Sequence, residues 1–447
     1  MAKFSAAFLA QLFFSATGTL AGLVVDVNDA ASIKKAAGLV AGDLMSFYKG
    51  DIPGLLPGPP PLGDYEWWTG GALWTTMLNY RNLTGDTQYD DRISQGLLWQ
   101  RGPNNDFLTP NWTLSTSNDD QSVWGMAALS AAETGFTEPG GDSPTWLTLA
   151  QNVYSGQSNN SRHVKDGDCK GALRWQIIAF NNGFNYVATA ANAAYANLGA
   201  RLNLLQANQA QAASVQETFQ LLQTLKFIDD DFNVYNGAPV PNCSPINKLQ
   251  ISQNSAFALE GAAAMFNSTG DAKWKTLVDG LVNRTIDLFF PGGVAKEIAC
   301  EPSNCTIDMT FYKSFLHRSL ASTAKMAPHT AGLILPVLKT SAAAAVQSCT
   351  GGANQRMCGL TWPGGSNNQT GAGSEMSVLS TLLSLMTVPS SNPGSGSGTG
   401  GSIDSPSTTG NAPSPTNTPG GSGAHVGVNP IVLLGSLLLT SFMLQQL

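Results

Sequence analysis

Charge is what this chain of 447 residues has least of. Lys, Arg, Asp and Glu together make up 12%, against about 25% in an average soluble protein. The net charge is -7, which excludes the basic footprint of a nucleic-acid-binding protein. Alternating apolar–polar runs are scarce, so a sheet-built fold is disfavoured. No Cys-x-x-Cys and no His-Glu-x-x-His occurs, which removes the common zinc sites. The four histidines, His163, His317, His329 and His425, have no Gly-x-Ser-x-Gly to accompany them, so a Ser-His-Asp hydrolase has no support. Asp229, Asp231 and Asn233 match the first three ligand positions of an EF-hand loop. Val234 then stands where glycine is needed and Val240 where the bidentate glutamate is needed, so the stretch reads as a turn. No metal or organic cofactor is expected.

Both ends carry sorting signals. Lys3 precedes an apolar run over residues 4–14, and small residues follow to Ala21. Residues 1–21 are expected to be a secretory signal, since the run is too short to span a membrane. At the other end, residues 431–447 are strongly apolar, preceded by a polar spacer and the small run Gly420-Gly421-Ser422-Gly423. That order reads as a glycosylphosphatidylinositol (GPI) attachment signal, with residues 424–447 removed and Ser422 or a neighbour carrying the lipid. No basic residue follows the apolar run, which disfavours a simple tail anchor. Residues 390–423 are Ser, Gly, Thr and Pro with almost nothing to bury, and read as a stalk. These features predict passage through the secretory pathway to the outer face of the plasma membrane or the cell wall.

Residues 22–389 remain as the folded body. Glycosylation sequons begin at Asn82, Asn111, Asn159, Asn242, Asn267, Asn283, Asn304 and Asn368, which fits a secreted glycoprotein. Six cysteines in such a chain imply disulfides of formally open connectivity. Short loops favour Cys300–Cys305 and Cys349–Cys358, leaving Cys169–Cys243. Apolar and alanine-rich stripes of period 3.6 predict twelve helices: 29–49, 69–83, 87–100, 120–134, 144–157, 183–199, 212–227, 250–267, 271–289, 308–325, 328–347 and 374–386. Such a count suits a closed ring of helical hairpins.

The most chemically pointed stretch is Ser117-Asn118-Asp119-Asp120-Gln121, where a polar loop turns into an apolar helix. Asn118 or Asp119 is the expected N-cap, and Gly135 stands where a C-cap is expected. Adjacent carboxylates couple their titrations, which gives an acid beside a base. Retaining glycosidases need two carboxyl groups about 5–5.5 Å apart. Helix capping alone also explains an Asp-Asp pair, so the dipeptide by itself does not decide. Nearby lie the aromatic–amide pairings that bind sugars, an apolar ring face plus a bonding amide. Trp67, Trp68, Trp175, Asn192 and Asn254 are the expected cleft residues.

The residues taken in order resemble the fungal members of glycoside hydrolase family 76, the mannan endo-1,6-α-mannosidases, in their GPI-anchored cell-wall branch. The resemblance runs from about Val24 to Val388. It is carried by Ser46-Phe47-Tyr48, Trp67-Trp68, Gly85-Asp86-Thr87-Gln88-Tyr89, Asn118-Asp119-Asp120-Gln121, Leu173-Arg174-Trp175-Gln176-Ile177, Leu198-Gly199-Ala200-Arg201-Leu202, Ile228-Asp229-Asp230-Asp231, Ile246-Asn247-Lys248-Leu249-Gln250, Leu259-Glu260-Gly261-Ala262-Ala263 and Cys358-Gly359-Leu360-Thr361-Trp362. It implies an all-α (α/α)6 barrel with the cleft at one end. It also implies a retaining mechanism on α-mannosides, with Asp119 as nucleophile and Asp120 as general acid/base. The implied substrates are α-mannan or the GPI-core glycans of cell-wall proteins, with β-glucan as an acceptor for transglycosylation. The protein would act as a monomer. Lys170, Ala172, Ala193 and Gln253 depart from the family pattern. They favour the rival reading, a catalytically silent glycan-binding or wall-scaffold protein on the same fold.

Overall fold

The structure is a computed structural model that describes residues 22–57, 65–112, 116–302, 305–364 and 369–388. The expected signal, stalk and anchor, and the sequons at Asn304 and Asn368, lie outside the described residues.

Twelve helices are described: α1 (Ala30–Met45), α2 (Trp68–Thr84), α3 (Asp90–Trp99), α4 (Asn118–Glu133), α5 (Trp146–Gln157), α6 (Thr189–Gln206), α7 (Gln209–Thr224), α8 (Ser252–Thr269), α9 (Ala272–Phe289), α10 (Tyr312–Met326), α11 (Ala331–Gln347) and α12 (Ala372–Thr387). The even-numbered helices pack side by side in the closed order α2, α4, α6, α8, α10, α12 and back to α2. The odd-numbered helices pack around them, with α3 on α2, α5 on α4, α7 on α6, α9 on α8 and both α11 and α1 on α12. This is the (α/α)6 barrel.

Residue size sorts the two rings. An inner helix is walled in on every side, so it has no polar face and needs small side chains. Every residue of α6 from Thr189 to Asn203 is buried, as is every residue of α8 from Ser252 to Met265. Both runs are rich in alanine. A Cβ added at Gly261 would lie 3.1 Å from the Asn197 Cα, so α6 and α8 meet backbone to backbone there. Outer helices bury one stripe instead. α9 buries Trp274, Leu277, Val278, Leu281, Val282, Thr285 and Phe289, the spacing of an amphipathic helix. A ring buried all round explains why the chain carries so little charge.

The expected helix over 183–199 is displaced. Residues 186–188 are extended and pair with 237–239, Val187 opposite Ala238, and α6 runs on to Gln206. Gly237 makes this pairing possible, because at φ +145 its missing Cβ would sit 2.1 Å from the Val187 carbonyl oxygen. The helix expected over 308–325 begins with a 3-10 turn, Asp308–Phe311, before α10.

The two ends of the barrel differ. Residues 207–208, 270–271 and 327–330 suffice to turn from inner to outer helices, with 134–145 a longer turn of the same kind, whereas 158–188, 225–251, 290–311 and 348–371 return from outer to inner. The long returns sit where the inner helices begin, and all three disulfides staple them. Cys169–Cys243 ties two returns together, while Cys300–Cys305 and Cys349–Cys358 each close a loop within one. Asp229 serves as a turn residue there, accepting from the backbone N–H groups of Asp231 and Asn233 and from the Tyr235 hydroxyl.

At the other end Arg201 ties three inner helices. Its guanidinium grips Glu133 of α4 at 2.5 Å, bonds the Ser130 hydroxyl and lies 4.0 Å from Glu260 of α8. Glu260 is almost wholly buried. Replacing Arg201 with Met would remove the foremost opposing charge at that carboxylate, leaving Arg318 and the Asn197 amide, and would unpair Glu133, and the loss should be about 3–5 kcal/mol. A thermal or urea melt of Arg201→Met checks this, and an unchanged midpoint would refute the tie.

Candidate active site

Helix α4 begins in a capping box. The N-cap is Ser117, ahead of both expected candidates, Asn118 and Asp119, because its extended backbone lets its hydroxyl accept from the Asp120 N–H. In return an Asp120 carboxylate oxygen accepts from the Ser117 N–H at 2.9 Å. The neighbours on either side are locked in place. Asn118 donates its amide to the Arg174 carbonyl and its backbone N–H to the Trp175 carbonyl, both at 2.9 Å. Arg162 donates to the side-chain oxygens of both Asn118 and Gln121. With Asn118 and Gln121 spent on the loop, Asp119 and Asp120 remain half-buried at the mouth.

Capping uses Asp120 alone. One oxygen of Asp119 is buried with no hydrogen-bond partner. Burial raises the Asp119 carboxyl above the usual range, opposed by hydrogen bonds from the Ser117 hydroxyl and the Trp175 indole. Asp120 is pushed up to about 8, by burial first and then by the Asp119 charge, against the Ser117 N–H and hydroxyl. The Asp119 charge is thus one of the causes that hold the proton on Asp120, the relation of a base to the acid beside it.

Two further carboxyl groups belong here. Asp308, in the turn before α10, is raised to about 6 by burial, then by Glu66 and Asp119, while the Trp68 indole opposes the shift. One of its oxygens is also buried without a partner. The Tyr312 hydroxyl is held protonated well above its usual range by burial and by the charges of Asp308, Asp119, Glu297 and Asp120. Such crowding is tolerated because six inner helices begin at this end and point their positive poles towards it. Glu66 and Asp308 were not singled out from the sequence. The available signal is an acid placed just ahead of aromatic residues at a helix start, Glu66-Trp67-Trp68 and Asp308 before Phe311-Tyr312.

The expected cleft residues separate. Trp175 is 36% exposed, stands over Gly183, and directs its indole at Asp119. Trp68 packs against Phe311, Tyr312 and Phe315 with its N–H on Asp308. Asn254, only 1% exposed, has both amide atoms buried and unpartnered in the first turn of α8. A buried amide left so is costly unless a ligand or water meets it. Trp67 and Asn192 do not line the cleft. Trp67 is stacked on Trp124 with its N–H on Gln100, deep in the core. The Asn192 amide is spent on the Leu173 N–H and the Leu173 and Ala188 carbonyls, so it clamps the Trp175 loop from behind. Of the departures, Ala172 and Ala193 are core residues, Lys170 lines a separate surface pocket, and Gln253 is buried next to Asn254. No cluster of metal-ligating groups occurs among the described residues.

Comparison with known proteins bears on this arrangement. Residues 32–396 match glycosyl hydrolase family 76. Mannan endo-1,6-α-mannosidase DCW1 of Candida glabrata is 34% identical, over 91% of this chain and 92% of the relative. DFG5 of Saccharomyces cerevisiae, of the same activity by name, is 33% identical over 84% and 81%. The crystal structure of Dfg5 from Chaetomium thermophilum in complex with glucosamine is similar at TM-score 0.78 and 45% identity, covering 81% and 92%. An α-1,6-mannanase of a Salegentibacter species shares the fold at TM-score 0.65 and 13% identity, covering 80% and 100%. That structure is of an inactive variant with two consecutive aspartates changed to asparagine, in complex with α-1,6-mannotriose.

The two asparagines make opposite predictions. Asn254→Ala should leave the melting midpoint unchanged while kcat/KM falls about 10–100-fold, the worth of about 1.5–3 kcal/mol of hydrogen bonding. Asn192→Ala should instead lower stability by about 2–3 kcal/mol, since it unpins buried backbone groups. Paired thermal melts and steady-state kinetics decide, and a melting loss at Asn254 would remove it from the binding surface.

Proposed function

The chain belongs to glycosyl hydrolase family 76 and is a glycoside hydrolase, and on that premise we propose that Asp119 and Asp120 are its catalytic pair in a retaining, endo-acting mechanism. The substrate is an α-mannosidic linkage, in α-1,6-mannan or in the GPI-core glycan of cell-wall proteins. The product is handed to water or to a hydroxyl of β-glucan. The enzyme works as a secreted, GPI-anchored monomer at the plasma-membrane surface or in the wall, and needs no cofactor.

One observation carries the assignment. A cap needs only Asp120, yet Asp119 sits beside it with a buried oxygen that nothing in the protein satisfies. A silent scaffold would have no use for that arrangement. The anomeric carbon of a bound mannoside would give the oxygen its partner. Two consecutive aspartates are also the positions replaced in the inactive bacterial mannanase that shares the fold.

The steps follow from the titration. The Asp119 carboxylate attacks C1 from one face while the Asp120 proton passes to the glycosidic oxygen. The C1–O bond breaks, and the sugar is held as an ester of Asp119. An acceptor hydroxyl then gives its proton to Asp120, its oxygen bonds C1, and Asp119 leaves as carboxylate. Water and a glucan hydroxyl are equivalent acceptors in this half-reaction, so transfer needs only an acceptor subsite. Trp175 offers an exposed ring face on which a sugar can stack.

Asp119→Asn should remove turnover on α-1,6-mannan oligosaccharides by on the order of 10^4-fold or more with folding intact. Asp120→Asn should lose about 10^2–10^4-fold, and far less on an aryl mannoside whose leaving group needs no proton. The acid must be protonated, so wild-type activity should fall as pH rises through about 8, and this limb should vanish in Asp120→Asn. Mass spectrometry with an anchor-core glycan, with and without β-glucan, separates hydrolysis from transfer. Glycan binding without products from the wild-type protein would overturn the enzymatic assignment.

A further inference from the structure

The barrel end remote from Asp119 holds a second cavity, of 410 Å³, where the inner helices finish. Helix α4 alone spans about 24 Å at 1.5 Å per residue, so this cavity is separate from the catalytic mouth. Asn79, Ser130, Arg318 and Ser322 line it, together with Asn82 and Asn267. The last two are sequon asparagines, and they stand in equivalent places. Asn82-Leu83-Thr84 closes α2 and Asn267-Ser268-Thr269 closes α8, each followed by a glycine in the left-handed region, Gly85 at φ 74 and Gly270 at φ 68. Helices α2 and α8 lie across the ring from one another, so the two asparagines face the cavity from opposite rims. Both are exposed. The two threonine hydroxyls turn back onto carbonyls of their own helices, Tyr80 and Met265. Within the cavity the Arg318 guanidinium has two buried nitrogens, Nε and Nη1, with no partner.

We propose that Asn82 and Asn267 carry N-linked glycans, and that the core sugars of these glycans seat in the far-end cavity and cap the barrel. The inference rests on secretion, which brings the chain to a lipid-diphosphate-linked oligosaccharide. The asparagine Nδ2 bonds C1 of the reducing-end sugar, the C1–O bond to diphosphate breaks, and an amide proton leaves. A neutral polyol suits the lining better than an ion does. Arg201 and Glu133 already neutralise each other, and the unsatisfied groups are donors that a sugar hydroxyl or acetamide oxygen can accept from. Helix C-termini converge here, which disfavours a bound anion.

The test uses the full chain secreted from a eukaryotic host. Glycopeptide mass spectrometry reads occupancy at each sequon. Endoglycosidase release is then timed on native and on denatured protein. Glycans at Asn82 and Asn267 should be present, and should leave native protein at least about tenfold more slowly than those at Asn111 or Asn159, the protection of about 1.4 kcal/mol of seating. In Arg318→Met that protection should shrink. Thr84→Val, which keeps Asn82 but destroys its sequon, should speed release at Asn267. Sugar at the other sequons but none at Asn82 and Asn267 overturns the proposal. Equal release rates at all sites overturn the seating. A chain bare at every sequon overturns the secretion on which the inference rests.

Discussion

Closing six helices into one ring fixes their direction. Each inner helix reaches the next through an outer helix that runs the other way, so all six inner helices start at one end and finish at the other. Their peptide dipoles therefore add, positive poles at one mouth and negative poles at the other. Several of the buried charges follow this polarity, and Lys313 at the start of α10 is an exception held by Glu301. Glu66, Asp119, Asp120, Glu297 and Asp308 gather near the starts, while Arg201, Arg318 and Lys325 gather at the finishes. The converging poles favour the ionised forms that burial and mutual repulsion oppose. The acids at the finishing end, Glu133 and Glu260, are the ones that Arg201 grips.

The same geometry decides where irregular backbone can go. Most turns at the finishing end are short, 134–145 excepted, so the long returns at the other end have the most chain to shape. Those returns bury apolar side chains of their own in the core, among them Val164, Leu173, Phe227, Ile228, Phe290 and Trp362, and covalent and polar links add to that hold. Cys169–Cys243 joins two of them, and the 186–188 and 237–239 strands pair the same two. Lys313, wholly buried beside Tyr312, ties α10 to the next two through Glu301 and the Leu360 carbonyl. A lone buried ammonium would be prohibitive, and its carboxylate and carbonyl partners make it tolerable. The loops around Asp119 and Asp120 are thereby held by packing, disulfides and polar links together.

Much of this was legible in the residues, and the misses have physical reasons. Twelve helices were readable because inner helices are alanine-rich and outer ones are striped, two patterns that survive without tertiary information. Residues 183–188 failed because pairing with 237–239 overrides a good helical composition, and nothing local announces a partner fifty residues away. The cap was placed late because Asn118 and Asp119 are as good as Ser117 by type. Only the return bond from Asp120 distinguishes them. Trp67 and Trp68 are adjacent and chemically identical, yet a helix turns them about 100° apart, one into the core and one towards Asp308. Asn192 looked like a sugar ligand because an amide that clamps backbone and one that meets hydroxyls have the same side chain.

In the proposed retaining cycle the dual use of Asp120 has a consequence. Its cap bond to Ser117 favours the carboxylate, while burial and the Asp119 charge favour the acid. At rest the second influence wins and Asp120 holds a proton. Once Asp119 has bonded the sugar, it carries no charge, and the repulsion that raised Asp120 is gone. The cap bond remains. Asp120 has by then given up its proton, and the Ser117 N–H stabilises the carboxylate that must next accept one from water or from a sugar hydroxyl. The helix cap thus favours the base at the step that needs a base, and the nucleophile's charge favours the acid at the step that needs an acid. In that proposal a cap donor and two adjacent carboxyl groups serve both halves of the retaining cycle.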